Sequence, residues 1–252
     1  MLRNYFFSFL LLILPIFSLS AQDEYRIDAA GKTIHFKEID RLVIQGTNDS
    51  ELLLNQAGNH SRNERARGLR VITGSGPQDN TGIGLSITTE GNTIIVQQVG
   101  RNGGKLEVSV PNSAIVKVTQ STHDGVGMEV SDFGGELDVS MMYHRVRLRN
   151  ISGPAAINTV YGGIEAVFDQ TPQADLHLHS TYSSVDLALP ANTAADLRLS
   201  TSYGDMYTDF DILISANTNS DNSNGSLEGK INGGGSLISL AATYSDIYLR
   251  KQ

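Results

Sequence analysis

One position recurs along the second half of this chain, and it limits the fold more than any other feature. His123, Tyr143, Tyr161, Tyr182, Tyr203 and Tyr244 stack on a single column, with steps of 20, 18, 21, 21 and 41 residues. Nine tyrosines stand in the chain, and five share this position. The columns around it are apolar at every second residue. Three residues later come Val126, Val146, Ile164, Val185, Met206 and Ile247; five later come Met128, Leu148, Ala166, Leu187, Thr208 and Leu249. Four before the tyrosines come Val139, Ile157, Leu178, Leu199 and Leu240; six before come Leu137, Ala155, Leu176, Leu197 and Ile238. A period of two marks a strand with one buried face. Each repeat therefore reads as two short strands joined by a corner. The corners after the tyrosines are small and polar (Gly162-Gly163, Ser183-Ser184, Gly204-Asp205, Ser245-Asp246), as tight turns require.

A unit of about 20 residues cannot bury its own apolar face, but a stack of such units makes one continuous core. The expected fold is all-β: a right-handed parallel β-solenoid (β-helix) of ~20-residue coils, with strands ~4.8 Å apart. An antiparallel sandwich also gives short strands at about 10-residue spacing, but the in-register columns favour the solenoid. The double step from Tyr203 to Tyr244 predicts a degenerate coil between them. Ile212 and Ile214 would be its first inward pair and Leu227 the position after its corner, with the polar run 216–225 bulging as a loop. Only Arg250-Lys251-Gln252 follows Ile247-Tyr248-Leu249, so the last coil is expected to present an unpaired edge.

Residues 22–110 alternate differently. Apolar alternation runs over Thr33–Ile39, Arg41–Gln45, Leu52–Asn55, Leu69–Thr73, Ile83–Thr88, Thr93–Gln98 and Lys105–Val110, with Gly91-Asn92 as a hairpin signal and 59–68 as a charged loop. This region is expected to be an antiparallel N-terminal β cap on the repeats of 111–252, the two forming one continuous domain over 22–252. Residues 1–21 read as a cleaved signal peptide: Arg3, an apolar run from Tyr5 to Phe17, then Ser18-Leu19-Ser20-Ala21. The run is short for a membrane span of about 20 residues. The mature chain is thus expected to be exported, whether periplasmic, on the outer surface or secreted. Cysteine is absent, which removes disulfides, Cys-ligated zinc, thiol nucleophiles and a lipid-modified cysteine. A net charge of -8 argues against a general nucleic-acid binder. With 40% hydrophobic and 18% charged residues the composition is that of a folded chain.

Three phrases carry a family resemblance: Arg41-Leu42-Val43-Ile44-Gln45-Gly46, Lys105-Leu106-Glu107-Val108-Ser109-Val110-Pro111, and Leu199-Ser200-Thr201-Ser202-Tyr203-Gly204-Asp205-Met206. Over roughly residues 35–252 the chain resembles the provisionally named adhesin family of bacterial β-strand-repeat proteins, the DUF4097 group. The signal end Ser18-Leu19-Ser20-Ala21-Gln22 is similar to those of Bacteroidetes. The resemblance implies a β-solenoid in the envelope or on the surface, and it supplies no catalytic residues.

The candidate ligand-binding residues are Tyr143, Tyr161, Tyr182, Tyr203 and Tyr244, whose rings would lie one strand spacing apart. They can form an aromatic strip that stacks on sugar rings, or a ladder that fastens the corner, each phenol on a backbone partner. Arg145, Arg147 and Arg149 form an outward basic strip, able either to dock phosphate or uronate groups or to pair between coils. The columns offer Glu165 to Arg147 and Glu129 to Arg149, pairs worth about 0.2–1 kcal/mol. His177 and His179 share a face, but neighbouring coils offer no carboxylate and the column holds Arg198, so no metal site is expected. The Asn-rich loop fails as an EF-hand because Ser220 and Ile231 fall where Asp and Glu are needed. No nucleophile elbow or Walker sequence occurs, and Asp186, Asp205, Asp209 and Asp246 are scattered. No catalytic residue and no cofactor are therefore assigned. The expected function is a non-enzymatic binding, adhesin-like or structural module of the envelope or surface, with a glycan or an envelope protein as partner and no nucleic acid. The alternatives are a polysaccharide-active enzyme and a scaffold that docks proteins, or a second copy edge to edge, at the uncapped C-terminal strand.

Overall fold

Period-two alternation folds as strands throughout, and among the described residues there is no helix. The computed structural model describes residues 24–57, 76–100, 104–215 and 225–252. The expected signal 1–21, the charged loop 59–68, the alternation at 69–73 and the Asn-rich stretch 216–224 lie outside them. The strands before the tyrosine repeats are β1 (Glu24–Asp28), β2 (Thr33–Lys37), β3 (Arg41–Thr47), β4 (Glu51–Ala57), β5 (Leu85–Glu90), β6 (Thr93–Gln98), β7 (Lys105–Pro111), β8 (Ile115–Gln120) and β9 (Gly127–Ser131). The repeats follow as β10 (Glu136–Met141), β11 (Val146–Arg149), β12 (Ala155–Thr159), β13 (Ile164–Val167), β14 (Leu176–Ser180), β15 (Val185–Leu189), β16 (Ala195–Thr201) and β17 (Met206–Thr208). The chain finishes with β18 (Leu213–Ile214), β19 (Ser226–Ile231), β20 (Leu237–Ala242) and β21 (Ile247–Lys251).

These strands make two large, mostly parallel sheets, neither closed on itself. The first runs β1-β4-β7-β3-β9-β11-β13-β15-β21-β17, the second β18-β19-β16-β20-β14-β12-β10-β8-β2-β6-β5. Antiparallel pairing is confined to their ends: β1 on β4, β4 on β7 and β5 on β6 at one end, β16 on β19 and β19 on β18 at the other. One apolar cluster takes side chains from both sheets, mostly Leu, Ile and Val, with Phe36, Phe133 and Phe168 the largest. Each fully buried side chain of this size contributes about 1.5–3 kcal/mol. With no cysteine in the chain, this core is the main source of stability.

The repeat columns are real neighbours. Leu137, Ala155, Leu176, Ile238 and Leu197 face one another in turn across the second sheet. Val146, Ile164, Val185, Ile247 and Met206 do so in the first. The expected chain-order stacking is corrected at this point. The last strand pair, β20–β21, lies between β14–β15 and β16–β17 rather than beyond them. Ile247 and Leu249 are therefore fully buried, and the expected unpaired edge at the C-terminal strand does not exist. The insertion satisfies the N–H and C=O groups on both edges of the last pair, which a terminal position would leave open. The first sheet ends instead on the short β17.

Among the described residues the degenerate coil expected between Tyr203 and Tyr244 does not form. β19 runs antiparallel along the outer edge of β16 and β18 antiparallel along β19, so neither adds a parallel strand to the stack. Leu213 and Ile214 are exposed, while Ile212 and Leu227 lean on the core. A second insertion mirrors the first: β2 lies between β6 and β8, and β3 between β7 and β9, all parallel. Among the described residues of 22–110, β1, β4 and β5 have only antiparallel partners, while β2, β3, β6 and β7 each have a parallel one. The Gly91-Asn92 turn does close a hairpin, with Glu90 opposite Thr93 and Gly91 at φ 57°. In the His123 repeat, Met128 and not Val126 faces Val146; the corner there is two residues longer, and Val126 is left exposed.

Ahead of β5, the Asp79 carboxylate accepts the backbone N–H groups of Thr81, Gly82 and Gly84 at 2.9–3.0 Å and the Thr81 hydroxyl at 3.0 Å. Partial burial works to raise this carboxyl, but the donors together outweigh it and hold Asp79 below the ordinary aspartate range.

Candidate functional site

Each ladder tyrosine sits where a strand of the second sheet turns into a strand of the first. Parallel pairing in register sets successive tyrosines one strand spacing apart. Their backbones continue the pairing through the corner: Tyr161 N–H to Met142 C=O at 2.8 Å, Tyr182 to Val160 at 2.8 Å, Tyr244 to Thr181 at 2.9 Å. The rings then stack in the order Tyr143, Tyr161, Tyr182, Tyr244, Tyr203, with centroids 5.4, 5.0, 5.0 and 4.8 Å apart and planes within 14° of parallel. His123 meets Tyr143 edge-on at 6.4 Å. The inner rings cover one another's faces, so water reaches their edges and hydroxyls. Tyr203, at the end of the row, is 74% exposed against 43–51% for the others.

Among the described residues, none of these five hydroxyls bonds to a protein atom. The corner is fastened from inside by other hydroxyls. Thr159 Oγ1 donates to Gly162 C=O at 2.6 Å, Ser180 Oγ to the same carbonyl at 2.9 Å, and Thr201 Oγ1 to Ser245 C=O at 3.1 Å. These residues stand two before a tyrosine, an inward position, and a polar residue there was the available signal.

Sequence reasoning also passed over a second, shorter ladder. Tyr207 and Tyr248 pair in register, four residues after Tyr203 and Tyr244, with rings 5.3 Å apart. Tyr207 donates to Asp205 at 3.2 Å and Tyr248 to Asp246 at 3.1 Å. The charge of Asp205 holds the Tyr207 phenol above its usual range, and the hydrogen bond to Asp246 does the same for Tyr248. Arg250 lies over the Tyr248 ring at 5.0 Å and forks onto Asp186 at 2.7 and 2.9 Å.

The basic strip is neutralised by its neighbours. Arg147 sits between Glu129 at 3.5 Å and Glu165 at 3.0 Å, and Arg145 reaches Glu165 at 2.9 Å. Arg149 does not meet Glu129 as expected. The register sets Glu129 opposite Arg147, and Arg149 opposite Ser131, so its partner is Asp169 at 3.0 Å. These half-exposed pairs are worth about 0.2–1 kcal/mol each. Asn150 draws Asp169 into the same row: its amide hydrogen bond, with Arg149, holds the Asp169 carboxyl low. His177 lies between Ala156 and Ser239, and His179 between Asn158 and Ala241. Among the described residues no three His, Asp or Glu side chains gather as a metal set. The scattered carboxylates are engaged: Asp186 by Arg250, Asp205 and Asp246 by the tyrosines, Asp209 by the Lys251 N–H at 2.7 Å.

Beside the ladder, on the outer face of the second sheet, a cleft of about 320 Å³ crosses β8, β10, β12 and β14. Its floor carries Thr119, Ser140, Asn158 and His179, one from each strand, and Met142 and Val160 form its corner side.

No family model matches this chain, and no curated protein matches it. Two solved structures are similar. One is a provisionally named cell adhesion protein from Clostridium sporogenes, with a TM-score of 0.47 and 9% identity over 91% of this chain and 99% of that one. The other is a provisionally named adhesin from Bacteroides fragilis, with a TM-score of 0.28 and 9% identity over 91% of this chain and 96% of that one. At these scores neither likeness bears on what this chain does.

Proposed function

We propose that the chain is an exported, non-enzymatic β-solenoid of the cell envelope or surface, related to the DUF4097 group, that works as a binding module of adhesin-like kind. Its two sheets would be the faces of right-handed coils of about 20 residues, released after removal of residues 1–21. The observation that carries this reading is the tyrosine ladder: five rings in one row, four of them about half exposed and Tyr203 more so, with hydroxyls that no described residue occupies. Aromatic side chains with one wet end are favoured at contact surfaces. Here the core and the inward hydroxyls of Thr159, Ser180 and Thr201 hold the row rigid, so little conformational freedom remains to be lost on binding.

The test is sedimentation of the purified mature chain with isolated envelopes of the producing cells. The wild type is expected in the pellet. Tyr161→Ala combined with Tyr182→Ala is expected to weaken association about tenfold, or 1.4 kcal/mol, with an unchanged β-sheet spectrum. A wild type that stays in the supernatant, or a double variant that sediments equally well, contradicts the proposal.

A further inference from the structure

We infer that the cleft beside the tyrosine ladder seats a neutral, extended polysaccharide strand laid along the stacking direction, across β8, β10, β12 and β14; this rests on the reading of the chain as a binding module. The floor is a line of hydrogen-bonding side chains in strict register. Ser140 lies opposite Thr119 on one side and Asn158 on the other, and Asn158 lies opposite His179. At ~4.8 Å per strand the line is roughly 14 Å long. Two central members are available. Ser140 and Asn158 are solvent-facing, and neither side chain bonds another described residue. At the ends, Thr119 takes the His35 ring nitrogen at 2.8 Å and His179 meets the Thr243 hydroxyl at 3.4 Å.

The chemistry of the cleft selects the class of ligand. Two hydroxyls, an amide and an imidazole offer both donors and acceptors, and no carboxylate, lysine or arginine lines the cleft. An acidic polymer would seek a row of cations, and the chain carries a net charge of -8. Met142 and Val160 give the corner side an apolar surface. A pyranose fits such a split surface, with C–H groups toward the apolar side and hydroxyls toward the polar line. The volume of about 320 Å³ lies at the small end for ligand sites. A polypeptide strand is disfavoured: β8, β10, β12 and β14 are paired on both edges, so no free main-chain edge is offered to it.

The test is affinity electrophoresis of the full mature chain in gels containing hydroxyethyl cellulose, laminarin or polygalacturonate. Retardation is expected in at least one of the neutral gels and not in polygalacturonate. Ser140→Ala with Asn158→Ala should raise the apparent Kd at least about tenfold, while Ser239→Ala, on the same face beyond the cleft, leaves it unchanged. The floor side chains face solvent, so circular dichroism should show the fold intact in each variant. No retardation in either neutral gel, equal retardation of the double variant, or preference for polygalacturonate overturns the inference. If envelope binding still depends on Tyr161 and Tyr182, only the cleft assignment falls. If envelope binding is lost as well, the binding reading falls with it.

Discussion

Removing residues 246–252 unfolds the end of the protein instead of merely shortening it. β21 is an interior strand, paired in parallel with β15 on one side and β17 on the other. Its Ile247 and Leu249 are fully buried. Loss of each such side chain costs about 2–5 kcal/mol, against a total stability of about 5–15 kcal/mol for a typical domain. The truncation also leaves the facing edges of β15 and β17 without partners, unseats Tyr207 from Tyr248 and strips Asp186 of Arg250. Urea unfolding should show an unfolding free energy lowered by several kcal/mol or a transition broken in two. The chain has no tryptophan, so the transition can be followed by tyrosine emission, to which the five ladder residues contribute the largest share. A terminal coil at a free edge would instead unfold within about 1 kcal/mol of the full chain, as removal of fraying ends does, and that outcome contradicts the inserted order.

The two glycines of one corner should respond in opposite ways. A methyl group at Gly162 would fall inside the backbone carbonyl of His144 in the neighbouring corner. Backbone on one side and a stacked strand on the other leave nothing flexible to give way. Gly162→Ala should therefore cost at least about 1–3 kcal/mol, the range for overpacking, and it should push Tyr143 and Tyr161 apart. At Gly163 the nearest atom to an added methyl is the Ser184 carbonyl oxygen at 3.3 Å. Gly163→Ala should change stability by no more than about 0.5 kcal/mol, helped by lower freedom in the unfolded chain. Thermal unfolding of the two single variants checks this, and equal melting temperatures would contradict the close approach at Gly162.

What the sequence showed and what it hid follow from the same physics. Alternation fixes which side chains point inward, so columns such as Val146, Ile164, Val185 and Ile247 and the tyrosine row were readable residue by residue. Order along the stack was not. β14, β16 and β20 present nearly the same inward pairs, Leu176 and Leu178, Leu197 and Leu199, Ile238 and Leu240, so any one can lie beside any other. The return of β19 along the outer edge of β16 decides their order, and antiparallel return leaves no periodic trace. Corner length is equally silent, so constant spacing puts Val126 in a column that Met128 fills. The cleft residues Thr119, Ser140, Asn158 and His179 are ordinary outward polar residues one at a time. Only the register makes them a line.

Engineered disulfides test the inserted order most directly, since the chain carries no cysteine of its own. His177 lies opposite Ser239 on the adjacent strand, whereas Arg198 lies one strand further away. Adjacent strands are ~4.8 Å apart and second neighbours roughly 10 Å, beyond the ~7 Å limit for a disulfide. Under mild oxidation, His177→Cys with Ser239→Cys should cross-link within one chain, and His177→Cys with Arg198→Cys should not. Cross-linking of the second pair and not the first would show that the strands stack in chain order and would contradict the structure described.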